Sequence, residues 1–141
     1  MIDKIYEKSQ TNWETFRVAY DALEQYLVTI DETNPIYLDQ QIAKKAGFQD
    51  RPLPPTYPSI FWQDFHIPWL DNQALFMLNA QTFTYQEPMV INYEYRGQIT
   101  LNKLRNHGNK QFAVHVLQLY DQEKNVATIK TTLMLTEEGV I

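Results

Sequence analysis

The chain contains no cysteine, and that excludes disulfides, thiolate metal sites and cysteine nucleophiles together. Glycine is nearly as scarce: Gly47, Gly97, Gly108 and Gly139 stand alone among 141 residues. A phosphate-cradling loop or a dinucleotide fingerprint needs several glycines in one turn, so neither can be assembled. Ser59 lies in Pro-Ser-Ile rather than in the Gly-x-Ser-x-Gly elbow that exposes a serine nucleophile. His66, His107 and His115 show no paired metal-ligand spacing. Basic clustering is missing too. Twelve Lys and Arg against 17 Asp and Glu leave a net charge of −5, without the footprint of a nucleic-acid binder. No apolar run approaches the roughly 18 residues of a membrane span, and the stretch from Met1 to Lys8 lacks the apolar segment of a secretory signal. A soluble cytoplasmic protein with no membrane contact is expected.

What is present reads as one globular domain over residues 1–141, with 44% hydrophobic and 21% charged residues. The first fifteen residues suit a short helix and then a strand ending near Phe16-Arg17-Val18. Asp21 with Glu24 three residues on predicts a capping-box start; Leu23, Tyr26, Leu27 and Ile30 then form the stripe of a helix lying on a core. Asp31 and Glu32 fall at its end, where the helix dipole disfavours negative charge, so they weaken it unless something else uses them. Asn34-Pro35 breaks the helix. Asp39 caps a second one, Gln40 to Ala46, with Lys44, Lys45 and Gly47 as stop signals. Arg51-Pro52-Leu53-Pro54-Pro55 runs extended, because each proline pushes its predecessor out of the helical region. Thr56 caps a third helix reaching Phe65, with apolar residues on more than one face, as in a helix wrapped by a sheet.

From Leu75 onward the period is two. Strands are predicted at Leu75–Asn79, Thr82–Gln86, Tyr93–Leu104 and Gln111–Tyr120, with a last strand carrying Ala127, Ile129, Leu133 and Leu135. Asn106-His107-Gly108-Asn109 is a turn between two of them. Helices first and antiparallel strands afterwards make an α+β layout, with the helices on one side of the sheet. His66 falls near a pocket mouth beyond the third helix, His107 in an exposed turn, and His115 on a central strand as a satisfied core residue.

Four segments in one collinear order carry a resemblance. Asp31-Glu32-Thr33-Asn34-Pro35-Ile36-Tyr37, then Ala43, is similar to the signature Gly-Asp-x-Asn-Pro-(Leu/Ile/Val)-His followed by Ala or Ser. Ala46 to Pro58 resembles an Ala-Gly-Tyr…Pro-Pro-Thr-Phe-Pro stretch, Leu78 to Pro88 a Leu-His-Gly-Glu-Gln-x-Phe-x-Tyr-x-x-Pro segment, and Thr131-Thr132-Leu133 a closing strand. Together, from roughly Phe16 to Thr136, they resemble the MaoC-like dehydratase family of the N-terminal-half, FAS1-like type. The resemblance implies a hotdog fold, a curled antiparallel sheet wrapped around a central helix, here Thr56 to Phe65. It implies the interconversion of 3-hydroxyacyl and trans-2-enoyl thioesters, a lyase step of fatty acid metabolism on acyl-CoA or acyl-ACP. The chemistry is general acid/base catalysis with a polarised carbonyl, and no metal or tightly held cofactor is needed.

The departures from the pattern fall on the chemistry. Glu32 stands at the signature Asp, Tyr37 at its His and Asp31 at its Gly, while Asn79-Ala80 replaces His-Gly. Carried over position by position, the resemblance implies Glu32, Asn34 and Tyr37 as the catalytic set and Pro55, Thr56, Tyr57, Phe61 and Asn79 as substrate contacts. Glu is one methylene longer than Asp, and a tyrosine with a pKa near 10 cannot share a proton as an imidazole does. Three readings stay open: a hydratase with a variant site, a degenerate acyl-binding subunit paired with a catalytic MaoC-like partner, and a hotdog thioesterase. Each implies a homodimer or a heterodimer.

Overall fold

The computed structural model describes residues 1–73 and 75–136. Five strands form one antiparallel sheet: β1 (Glu14–Phe16), β2 (Phe76–Tyr85), β3 (Tyr95–His107), β4 (Lys110–Asp121) and β5 (Lys124–Thr136). Their spatial order is β1-β3-β4-β5-β2. Three α-helices, α1 (Tyr20–Thr29), α2 (Pro35–Leu38) and α3 (Gln40–Lys45), precede two 3-10 helices, Tyr57–Asp64 and Pro68–Leu70. The α+β expectation holds, and the curled sheet with its few helices is the hotdog arrangement.

Registered rows of side chains build the concave face. Ile99, Leu117, Ile129 and Phe83 align across β3, β4, β5 and β2, and Gly97, Leu119, Ala127 and Tyr85 form the next row. Ile99, Leu117, Leu119, Ala127 and Ile129 are wholly buried. Gly97 is required by this packing: a methyl there would lie 2.8 Å from the Leu119 side chain and 3.2 Å from the Gln118 carbonyl oxygen.

The element inside the curl differs from the expected α-helix. Tyr57–Asp64 winds as a 3-10 helix, with Ser59 N–H donating to the Thr56 carbonyl at 3.2 Å and Phe65 N–H to Trp62 at 3.2 Å. Pro58 lacks an N–H, and the Ser59 hydroxyl also donates to the Thr56 carbonyl at 2.9 Å, so the tighter i→i+3 pattern wins the first turn. Thr56 does not cap it; its hydroxyl is bonded to Tyr26 instead. The helix still reaches the core, where Phe61 stacks on Phe16 with centroids 4.2 Å apart. Helix α1 starts one residue before Asp21, from Ala19, without a side-chain cap. The two short strands expected at 75–86 are a single strand whose pairing shifts between Leu78 and Ala80, leaving Asn79 in a bulge.

The two sheet edges are treated differently. An N-terminal strap runs beside β3, with Lys8 N–H donating to Leu101 O at 2.7 Å and Thr11 N–H to Ile99 O at 2.9 Å. The Gln111 amide closes it, accepting from Ile2 N–H at 2.7 Å and donating to Ile2 O at 2.9 Å. At the other edge β2 is exposed along its first half, where Phe76, Met77 and Leu78 remain 40%, 44% and 58% accessible.

One concave row is polar: His115, Thr131 and Gln81 align, and Gln81 Nε2 donates to Thr131 Oγ1 at 3.0 Å. His115 is fully buried; its Nε2 accepts from Trp69 Nε1–H at 2.9 Å, so Nδ1 carries the proton and donates to Ala113 O at 3.1 Å. Burial depresses its pKa to about 4, against the smaller opposing effect of its backbone hydrogen bonds. The neutral ring is therefore the folded form. Because the unfolded chain binds a proton from about pH 6.5 downward and the folded chain does not until about pH 4, stability falls as pH drops through that window. Urea unfolding at pH 7 and pH 5 is expected to show about 2 kcal/mol more loss in the native chain than in His115→Gln. Equal losses in the two proteins would remove His115 as the cause.

Candidate functional site

The signature segment is shaped by the end of α1. Glu32 N–H donates to Leu27 O at 2.9 Å and Asp31 N–H to Val28 O at 3.2 Å, the paired bonds of a Schellman motif. Asp31 supplies the left-handed residue such a motif needs, with φ 55°. It stands where the resembling signature carries Gly, so the backbone role survives the substitution. This is also how the acidic end of α1 is tolerated: its last carbonyls are capped by the turn itself.

The chain then reverses into α2. Asn34 Oδ1 accepts from Ile36 N–H at 3.2 Å as the helix cap, and Pro35 occupies the first position. Asn34 N–H donates to Glu32 Oε1 at 2.9 Å, which ties the carboxylate to the turn. Both Glu32 and Tyr37 are half-buried. Tyr37 lines a cavity of about 310 Å³ with Ile36, Phe48, Leu53, Pro55 and Tyr85 among its walls. A second Schellman motif at Gly47 (φ 102°), closed by Phe48 N–H to Ala43 O at 3.1 Å, turns Phe48 towards this cavity.

Tyrosines dominate the chemistry here. Tyr85 donates its hydroxyl to Pro55 O at 2.5 Å, and Tyr26 and Thr56 share a hydrogen bond at 2.6 Å. Burial pushes the Tyr37 pKa above its usual value, and the nearby Glu32 charge adds to the rise. Burial raises Tyr85 further, with Tyr26 and Tyr37 contributing. At neutral pH the Tyr37 and Tyr85 hydroxyls stay protonated. They can donate to a carbonyl oxygen, but they cannot take up a proton as a base would.

The sequence-predicted residues do not come together in one place. Tyr37 and Pro55 face the cavity; Glu32 and Asn34 adjoin it through the turn without lining it. Thr56 is exposed and bonded to Tyr26. Tyr57 and Phe61 belong to the core, Tyr57 against the Tyr26 ring at 4.9 Å and Phe61 against Phe16. Asn79, in its bulge, lines a separate depression with Arg105, Asn106, His107 and Phe112. His66 is exposed and bonded to Asp71 at 2.8 Å. Tyr85 and Phe48 were not singled out from sequence, although Tyr85 sits in the Phe-x-Tyr-x-x-Pro segment. Among the described residues no group of three or more His, Asp or Glu could hold a metal ion. No helix among them is long and apolar enough to cross a membrane.

The model of the family described as "FAS1-like, dehydratase domain region" matches residues 8–128. The chain belongs to this family. It is similar to a UPF0336 protein of Parafrankia sp. (strain EAN1pec), 28% identical over 113 residues that span 76% of this chain and 75% of the relative. Its fold is shared with the C-terminally truncated HadBC (3R-hydroxyacyl-ACP dehydratase) complex of Mycobacterium tuberculosis. There the TM-score is 0.83 at 14% identity, covering 92% of this chain and 96% of that one. An (R)-hydratase from A. caviae involved in PHA biosynthesis gives 0.73 at 14% identity, covering 93% and 98%. Solved MaoC-like dehydratases have the same hotdog fold.

Within this FAS1-like dehydratase domain, Asp31→Gly is expected to raise stability by about 0.5 kcal/mol, because glycine adopts positive φ without a Cβ penalty. Asp31→Ala should instead destabilise. Thermal or urea unfolding of the two variants checks the sign, and the opposite order would remove the left-handed cap from the explanation.

Proposed function

We propose that this chain is the acyl-thioester-binding component of an enoyl-thioester hydratase/dehydratase, paired along β2 with a second hotdog chain. The observation that carries the reading is Tyr37. It stands where the resembling signature has an imidazole, in a largely apolar cavity that keeps its hydroxyl protonated. Such a cavity can seat a thioester and donate to its carbonyl, while lacking a partner that cycles a proton near neutrality.

The exposed apolar stretch of β2 supports pairing, since unpaired N–H and C=O groups flanked by Phe76, Met77 and Leu78 form an adhesive edge. An isologous partner would join strand to strand and extend the sheet. The similar HadBC structure is described as a complex, and another of similar fold as the ChsH1-ChsH2 complex of Mycobacterium tuberculosis, which makes a non-identical partner the first to look for.

A second reading, a hydratase in its own right, is supported by the Glu32 carboxylate, fixed by Asn34 N–H at 2.9 Å in the turn that leads into the Tyr37 helix, whose charge adds to the rise in the Tyr37 pKa. In that case Glu32 would be the base, with Asn34 and Tyr37 orienting the water.

Hydration of crotonyl-CoA and of a longer trans-2-enoyl-CoA, followed by loss of the enoyl absorbance, separates the two. The pure chain is expected to bind the longer thioester, read by quenching of tryptophan fluorescence, without turnover above background. Turnover that disappears in Glu32→Gln would replace the binding reading with the catalytic one. Thiol release from a saturated acyl-CoA would replace both with a thioesterase. For the edge, Leu78→Asp is expected to abolish the dimer in sedimentation, whether the chain pairs with itself or with a co-expressed hotdog partner, and a dimer unchanged by the substitution would move the interface away from β2.

A further inference from the structure

The segment from Thr33 to Gln49, which carries Tyr37, is tied loosely to the rest of the chain. Every hydrogen bond it makes among the described residues stays within the segment or returns to Glu32, with one exception. That exception is long: Gln40 Nε2 stands 3.5 Å from Asp50 Oδ2. No ion pair among the described residues reaches the segment either. Between Glu32 and Asp50 only Ala43 is buried, and it lies apart from the main core. Tyr37 is the one side chain of the segment that packs against that core. The chain on both sides is fastened. Glu32 N–H donates to Leu27 O at 2.9 Å, Leu53 N–H to Met89 O at 2.8 Å and Ile91 N–H to Arg51 O at 3.1 Å.

The side chains of the segment divide between cavity and solvent. Ile36, Tyr37 and Phe48 are half-buried and contribute one part of the cavity wall. The rest of the wall, with Leu53, Pro55, Tyr85 and Met89 in it, belongs to the fastened part of the chain. Leu38 and Ile42 are absent from the wall and remain 43% and 42% exposed. The segment is also uncoupled from α1, because left-handed Asp31 ends that helix ahead of it and lets the chain turn without bending a helix. A stretch with local hydrogen bonds and little buried apolar surface opens at a lower free energy than the sheet around it.

We infer that Thr33 to Phe48 is a lid on the acyl cavity, opening as a unit in the free chain and held shut by a bound acyl thioester. The inference rests on the thioester reading above. With the lid open, the cavity loses the wall made by Ile36 and Phe48, and the Tyr37 hydroxyl leaves with it. A bound acyl chain supplies apolar surface that Ile36 and Phe48 cover only in the closed form. That differential contact is what shifts the population towards closure. The acyl group, rather than whatever carries it, is therefore the closing signal. Tyr37 meets the thioester carbonyl only once the lid is shut.

Amide hydrogen exchange of the whole chain, followed residue by residue by NMR, tests this with trans-2-octenoyl-CoA and free CoA as probes. In the free chain the hydrogen-bonded amides of Tyr37, Asp39, Ala43 and Phe48 are expected to exchange about 100-fold faster or more than the paired amides of β4 and β5. Octenoyl-CoA at saturation, judged by quenching of tryptophan fluorescence, should slow them about 10-fold or more, and CoA alone should not. Ile36→Ala and Phe48→Ala, each at saturation, should lose most of that slowing. Leu38→Ala/Ile42→Ala, on the solvent side, should keep it. Protection in the free chain equal to that of the sheet would overturn the lid and leave the thioester reading in place. So would quenching without slowing, slowing by CoA alone, slowing unchanged in both cavity-side variants, or slowing lost equally in the solvent-side one. No quenching by octenoyl-CoA would overturn both.

Discussion

Register between β3, β4 and β5 decides which side chains reach the concave face, and everything else rests on that face. These strands have 13, 12 and 13 residues, and their ladders run nearly end to end. A slip of one residue would turn Ile99, Leu117 and Ile129 outward and bring Thr100, Gln118 and Thr128 in. The close approach at Gly97 fixes one point of that register, since only a residue without a Cβ fits beneath Leu119. The tolerance for error is small. With the face set, Phe16, Phe61 and Phe65 fill the curl, and the segment from Pro52 to Tyr57 is drawn against β2 through the Tyr85–Pro55 hydrogen bond.

The candidate site has the backbone features that the signature it resembles would ask for, while it differs in the groups that would carry protons. Asp31 adopts the glycine-like φ, Asn34 caps α2 and Pro35 opens it, so the turn is preserved in shape. The side chains that alter are those that would exchange a proton with substrate. A glutamate bonded to the turn replaces a shorter acid, and a protonated tyrosine replaces an imidazole.

Much of the fold was legible in the sequence because strand periodicity is a local signal. The alternation of Ile99 and Leu101, and of Ala127, Ile129, Leu133 and Leu135, appears without knowledge of neighbours. The His115 environment was legible in kind, as a satisfied core group, while its partners Trp69 and Ala113 depend on contacts that span the fold. The winding of Tyr57–Asp64 was not legible: apolar residues on several faces announce burial but do not distinguish i→i+3 from i→i+4 bonding. Nor was the split among the predicted site residues. Tyr57 and Tyr37 carry the same side chain, and only tertiary packing sends one to the core and the other to the cavity. Asn79 shows the same limit, because a single bulge redirects it towards Arg105 and His107.

The strap from Ile2 to Thr11 has an outcome of another kind. By hydrogen-bonding along β3 next to the three-residue β1 and being fastened by Gln111, it covers that border of the sheet with a short, irregular segment of the same chain. A sheet with both borders open can add copies without end, as fibrils do. With that border ending in a three-residue strand, the ten-residue β2 is the edge that offers a neighbour a regular ladder. If that neighbour is joined by a two-fold axis, its own β2 is consumed in the same act, and growth terminates at two.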